Sequence, residues 1–240
     1  MVAQIAEIVR EVGFASTQPG RTGMLKHGLP FLRLGPVHFQ PLEWELEAVR
    51  AYFRGKVLNA GCGLRDITPL LATLGAESVV NADLLTNIHG AVICNLASLP
   101  FNDGLFDSVL CNAVLEHVDS LEAVMEELLR VLRPGGHLIL VIPFLQPYHE
   151  APRDFRRYTG EGMKQLGDKY GLKTVAVYPV HTIAQTLGWI LWEYLLERGS
   201  TPFKAVGWPL IWLATRWSCR SDLSRSRTAN AFQSVYLKPQ

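Results

Sequence analysis

The chain has 240 residues, 48% of them hydrophobic and 19% charged, with a formal net charge of +1. That is ample for one large domain with a sizeable core, and too apolar for a disordered chain. No repeat of solenoid or propeller length is present. The charge is uneven: residues 1–40 carry a net +2, residues 41–150 a net −8 and residues 151–240 a net +7. This distribution argues against nucleic-acid binding, and it leaves a membrane surface or an anionic substrate open for the basic end.

The opening MVAQIAEIVREVGF lacks the basic-then-apolar order of a signal peptide. The four cysteines show no metal-ligand spacing, so reduced thiols in a cytoplasmic protein, and no metal, are expected. Residues 1–40, rich in glycine and proline toward their end, read as an irregular arm before a domain over 41–240. Neither His27 nor His38 has a ligand partner at useful spacing.

From Pro41 on, Leu42, Leu46, Val49 and Phe53 share one helical face. KVLNAG (56–61) reads as a buried strand, residues 66–74 as a helix and ESVVNAD (77–83) as a second strand. AVICN (91–95) and FDSVLCNA (106–113) are two more strands, and residues 119–132 a strongly amphipathic helix. Arg133-Pro134-Gly135-Gly136 stops that helix before the buried strand HLILVIP (137–143). A helix over 159–171, a strand over 172–180 and a C-terminal edge strand at SVYLKP complete the pattern. Strands alternating with helices predict a doubly wound α/β sheet, with a helical N-terminal extension and a helical insertion at about 182–220.

Ligands of such a sheet sit beyond the carboxyl ends of its strands. Asn59-Ala60-Gly61-Cys62-Gly63 places two glycines there, one for a tight turn and one for close approach of a ligand. Asp83, ending the second strand, suits the two hydroxyls of a ribose. A dinucleotide fingerprint requires a third glycine near the helix start, where this chain has Asp66, a charge that repels phosphate. The turn and Asp83 together indicate a nucleoside-containing cofactor.

Residues 99–118, LPFNDGLFDSVLCNAVLEHV, and 128–142, LLRVLRPGGHLILVI, with VLNAGCG and NADL, resemble the class I S-adenosylmethionine-dependent methyltransferases of the type 11 group. The resemblance covers about residues 55–145 and implies a Rossmann-like, mostly parallel seven-stranded sheet of order 3-2-1-4-5-7-6. It implies S-adenosyl-L-methionine as cofactor, with Asn59, Gly61 and Gly63 beside its methionine part. Asp83 would hold the ribose, Leu84 stack on the adenine, and Asn95 and Leu96 meet the adenine amine and ring. Asn112 and Ala113 would face the sulfonium, and His117 sit at the cofactor's edge. The family usually carries Asp or Glu at position 59 and Asp at 95. The uncharged amides here predict cofactor binding weaker by about 1–3 kcal/mol, the worth of a charged hydrogen bond.

Residues 143–160 form the expected acceptor loop. IPFLQPYHEAPRDFRRYT is similar to a pattern in a subset of type 11 enzymes associated with surface polysaccharide and glycolipid pathways. His149 and Asp154 are candidates for a base and its orienting carboxylate, with His117 as a second base. Arg153, Arg156, Arg157 and Tyr158 are candidates for holding an anionic acceptor. The same residues also suit a purely structural loop in which Asp154 pairs with Arg157.

Five of the six tryptophans fall between 189 and 217, in two apolar runs, 183–196 and 205–217, each short for a membrane span. Packing into the core or a homodimer interface is the simpler expectation, and peripheral membrane contact the alternative. In either case the pair would roof the acceptor pocket. The expected activity is methyl transfer, most simply to oxygen, on a small-molecule or lipid/glycan-linked acceptor. A catalytically silent binding protein and a quinone-type C-methyltransferase stand as alternatives.

Overall fold

The computed structural model describes residues 37–149, 153–218 and 228–240. The expected arm up to residue 36, Glu150 of the acceptor loop and the flanking Arg220, Arg225 and Arg227 lie outside these residues.

Among the described residues seven strands form one sheet in the order β3-β2-β1-β4-β5-β7-β6. They are β1 (Lys56–Ala60), β2 (Ser78–Asp83), β3 (Val92–Ile93), β4 (Phe106–Asn112), β5 (Leu132–Pro143), β6 (Lys173–Val180) and β7 (Ala231–Leu237). All neighbours pair in parallel except β7, which runs antiparallel to both β5 and β6. The central strands read as unbroken apolar runs because helices cover both faces. On one face α3 (Leu121–Val131) and α4 (Gly160–Lys169) bury Val124, Leu128 and Met163 against Leu58, Val109 and Leu140. On the other, α1 (Leu42–Glu47) and α2 (Thr68–Thr73) bury Leu46 and Leu71 against Val57, Leu110 and Ile139.

Ser120 caps α3 by accepting the Ala123 N–H, and Glu122 and Arg130 match its dipole at the two ends. Arg130 also donates to the carbonyls of Leu99 and Phe101, while Glu127 accepts the Leu99 N–H. These bonds fasten the loop after β3, which carries Asn95 and Leu96, to the helix behind it.

Three elements differ from expectation. Arg133–Gly136 is a bulge inside β5: Leu132 pairs with Phe106, the register breaks, and pairing resumes at Ser108 with His137. The last strand is not an edge. Its alternating polar residues suggest one solvated face, yet it lies between β5 and β6 with Ser234, Val235 and Tyr236 all buried. The Tyr236 hydroxyl is satisfied by donating to the Met163 carbonyl. β3 is shorter than AVICN, because an edge position leaves Ile93 exposed with little to bury.

The insertion is a hairpin of α5 (Ile183–Arg198), capped reciprocally by Thr182 and Gln185, and α6 (Thr201–Ser218). A Cβ at Gly188 would meet Thr215 at 2.8 Å, so glycine lets the two helices approach. The end of the arm is stapled between them: the His38 N–H donates to Thr215 Oγ1, and Gln185 donates to the His38 carbonyl. The hairpin does not complete the main core. Leu187, Leu191, Phe203, Val206, Leu210 and Leu213 are all exposed, and Trp217 is 85% exposed.

Candidate functional site

β1 ends in the glycine turn. Gly61 and Gly63 have φ of 75° and 61°, the left-handed region that glycine enters without penalty. The Gly61 and Cys62 N–H groups both donate to the Ala82 carbonyl, which folds the turn back onto β2. The two glycines serve different ends. A Cβ on Gly61 would stand 2.3 Å from Val114, so the loop after β4 needs its absence, whereas a Cβ on Gly63 would meet nothing within 4 Å. Gly63 therefore faces open space, where a ligand can lie against the backbone.

Asp83 ends β2 and organises this turn. One carboxylate oxygen accepts the Gly63 N–H at 2.7 Å and the other the Leu85 N–H at 2.9 Å. Each oxygen keeps a lone pair, so the group fits a vicinal diol beyond the strand end. Leu84 is exposed beside it. Asn59 is 3% exposed, and its amide donates to Asn81 Oδ1, which passes the chain on from its own amide to Thr68 Oγ1. Where the family pattern has a charge, this chain has a buried amide relay. Asn95 folds its side chain onto the Ala97 N–H, and Leu96 buries its side chain in the main core.

At the end of β4, Asn112 is half-buried and Ala113 is exposed, with a φ of 54° rare for a residue bearing a Cβ. The Ala113 N–H donates to the Val141 carbonyl, which holds the strained position. Beyond it, residues 115–119 zip against the acceptor loop. The Phe155 N–H donates to the Glu116 carbonyl, His117 Nδ1 to the Arg153 carbonyl at 2.6 Å, and Arg156 to the carbonyls of Leu115, Val118 and Asp119.

This zipper brings the two candidate bases together, with the rings of His117 and His149 5.1 Å apart between centroids. His149 Nδ1 lies 3.0 Å from the Pro147 carbonyl, so that nitrogen carries the proton and Nε2 the lone pair. Asp154 Oδ2 lies 3.6 Å from His149 Nδ1, and its shorter contacts are with other groups. It accepts the backbone N–H of His149 at 2.9 Å and forms a two-pronged ion pair with Arg157, its side chain 1% exposed. Burial pushes the Asp154 carboxyl up, but the Arg157 guanidinium and the His149 N–H together hold it below its usual value.

Arg157 also donates to the carbonyls of Arg156 and Pro147. Arg156 and Arg157 are thus spent inside the loop, and Arg153 alone of the three arginines has an exposed side chain. Tyr158 packs its ring against the main core and its N–H donates to the Pro143 carbonyl. Burial lowers the pKa of His117, while that of Glu116 is pushed up to about 7 by burial, despite the nearby arginines.

The sequence reading did not single out Trp189, Phe39 or Glu116. Trp189 of α5 lies 5.5 Å from the His149 ring, and Phe39 packs on both Trp189 and His181. The insertion therefore roofs the histidine pair. Glu116 sits fully buried beside His117, a placement that its position in Leu115-Glu116-His117 signals only once the loop is seen to cover it.

The methyltransferase domain family matches residues 58–140, the stretch that holds the glycine turn, Asp83, the end of β4 and His117. Over that stretch, about a third of the chain, the sequence matches a methyltransferase domain, and the sheet around it has the Rossmann-like methyltransferase fold. Solved structures of this fold bind S-adenosyl-L-methionine or S-adenosylhomocysteine, and the open face of Gly63, the spare lone pairs of Asp83 and the exposed Ala113 fit that group. Over 90 residues the domain is 36% identical to a ubiquinone/menaquinone biosynthesis C-methyltransferase of Shewanella pealeana, covering 38% of this chain and 35% of that protein. The match spans about a third to a half of the length of such curated relatives.

Among solved structures, the 1,6-didemethyltoxoflavin-N1-methyltransferase of Burkholderia thailandensis, with bound S-adenosylhomocysteine, is similar with a TM-score of 0.57 and 16% identity. That likeness covers 99% of this chain and 90% of the other. The phosphoethanolamine N-methyltransferase 2 of Haemonchus contortus, bound to S-adenosyl-L-methionine, reaches a TM-score of 0.53 at 15% identity, over 84% of this chain and 54% of that one. At these identities the likeness is one of fold.

Proposed function

We propose that this protein methylates an oxygen of an apolar, lipid- or glycan-linked acceptor presented at a membrane surface. The observation that carries the reading is the stacking of layers at the end of β4. The His117–His149 pair lies under Trp189, and Trp189 belongs to a helical hairpin whose outer face is exposed and apolar. Among the described residues no helix is long and apolar enough to cross a membrane, so the hairpin would rest on a bilayer rather than span it.

Bound S-adenosylmethionine supplies an electrophilic methyl group on a sulfonium. The chain's own residues do the rest. Gly63 would lie against the methionine part of the cofactor, Asp83 would hold its ribose, and Ala113 would leave room at the reacting end. With Nδ1 committed to Pro147, His149 presents Nε2 to accept the hydroxyl proton as the acceptor oxygen turns nucleophilic. Asp154 and Arg157 act as positioning residues by fixing the loop that carries His149.

A second reading, carbon methylation of a membrane-borne quinone-like ring, is favoured by the likeness to quinone-biosynthesis C-methyltransferases. Such an acceptor is also apolar but needs ring activation more than a base. Incubating the protein with membrane extract and labelled cofactor tests both readings. Label in the organic phase, on oxygen, and lost in His149→Ala supports the first. Label on a ring carbon with turnover retained in His149→Ala replaces it with the second. Label confined to the aqueous phase contradicts both.

A further inference from the structure

We infer that Glu116, His117 and His149 form a binding site for one divalent metal ion of the zinc class. Each offers one donor atom, and the three donors lie within 4.8 Å of one another. Glu116 and His117 follow β4 while His149 comes from the loop after β5, so no sequence spacing announces the set. The zipper between residues 115–119 and 153–158 creates it.

The state of Glu116 is the independent observation. Its side chain is fully buried, yet neither carboxylate oxygen has a hydrogen-bond partner among the described residues. A buried carboxylate without a partner is costly, and a bound cation is a partner that satisfies it. His117 Nε2 stands 3.7 Å from Oε1.

The two imidazoles are prepared in the same sense. Each places Nδ1 against a backbone carbonyl, His117 on Arg153 and His149 on Pro147, which leaves Nε2 as the lone-pair nitrogen. A second-nitrogen bond of this kind fixes the tautomer and aim of metal-bound histidines. Two donors held about 2.0–2.1 Å from one tetrahedral ion stand about 3.4 Å apart. The Glu116–His117 pair is already near that spacing, and the widest gap, within 4.8 Å, closes by about 1.4 Å at most through small shifts of the three side chains.

Two imidazoles and one carboxylate select zinc, cobalt and their neighbours over magnesium or calcium, which take oxygen donors. Three protein ligands also leave a coordination position open. With the ion bound, His149 Nε2 would be a ligand and not the base of the methyl-transfer reading proposed above. The open position would instead take the acceptor oxygen, whose proton would pass to water as the ion favours the alkoxide.

The test uses the full chain, stripped with chelator and titrated with Co2+ followed by visible absorption, then with Zn2+ by calorimetry. One saturable equivalent is expected, with binding weakened by about tenfold or more in both His117→Gln and His149→Gln. Glu116→Gln should weaken binding while melting as a folded protein. No saturable binding, or binding unchanged in the two histidine variants, overturns the site. His149 lies on a half-exposed loop, so its variant reports even where Glu116→Gln fails to fold. Because metal binding is read without turnover, a metal-binding protein that moves no methyl group would keep this inference and refute the proposed activity.

Discussion

Asp154→Asn isolates the contribution of the acceptor loop. The substitution keeps the shape and removes the charge from a side chain that is 1% exposed and grips Arg157 with both oxygens. It also turns an amide N–H toward a guanidinium, setting donor against donor. Breaking a fully buried pair by removing one partner costs about 3–5 kcal/mol. Arg157 is 24% exposed and keeps the carbonyls of Arg156 and Pro147, so the cost here falls to about 2–3 kcal/mol. For a domain of this size that lowers the melting temperature by roughly 4–10 °C.

The loss is local, because the sheet and glycine turn make no use of Asp154. Cofactor affinity should stay within about twofold, while acceptor methylation falls by about tenfold or more as His149 loses its fixed backbone. Melting curves, cofactor titration and a double-mutant cycle with Arg157→Gln measure these effects together. Wild-type melting in Asp154→Asn, or a fully additive cycle, would refute the view that this pair holds the loop.

Gly61→Ala should destabilise the fold by about 3 kcal/mol or more, combining left-handed strain with the collision against Val114, and Val114→Ala should recover part of it. Gly63→Ala, with no neighbour to strike, should cost about 1–2 kcal/mol in chemical denaturation and weaken cofactor binding instead. Burial raises the Glu45 carboxyl to about 8, with help from Glu43, while burial lowers His181, 3.5 Å away, to about 4. The folded state therefore retains the Glu45 proton that the unfolded chain loses near 4.5, and stability falls as pH rises from there to about 8, by about 5 kcal/mol. His181 adds a separate fall as pH drops from 6.5 to about 4. Glu45→Gln should abolish the alkaline slope and keep the acid one, and denaturation midpoints at pH 5 and pH 9 check this.

The cofactor half was legible because its logic is local. Short apolar runs ending in glycine or Asp mark buried parallel strands and their ligand-bearing tips, and Gly61, Gly63 and Asp83 stand where those rules put them. What was hidden depends on partners distant in sequence. SVYLKP alternates like an edge strand, and only the two neighbours pairing with it bury its polar positions. Asp154 and Arg157 suit equally an acceptor site and a mutual ion pair, and the fold decides by surrounding them with loop carbonyls. Trp189 meets His149, and Phe39 meets Trp189, across separations that no periodicity encodes. The Trp-rich runs read more simply as core or a homodimer interface, and the structure sets aside only the first. Their lack of one clear apolar face leaves each helix with more hydrophobic surface than its partner and the sheet can cover.

The central claim is that the Gly63–Asp83 turn holds S-adenosylmethionine. Calorimetric titration of the wild-type protein and of Asp83→Ala tests it most directly, with melting curves to show that both are folded. Saturable micromolar binding, weakened at least tenfold in Asp83→Ala, is the predicted result. No binding at millimolar cofactor, or equal affinity in the two proteins, would contradict it.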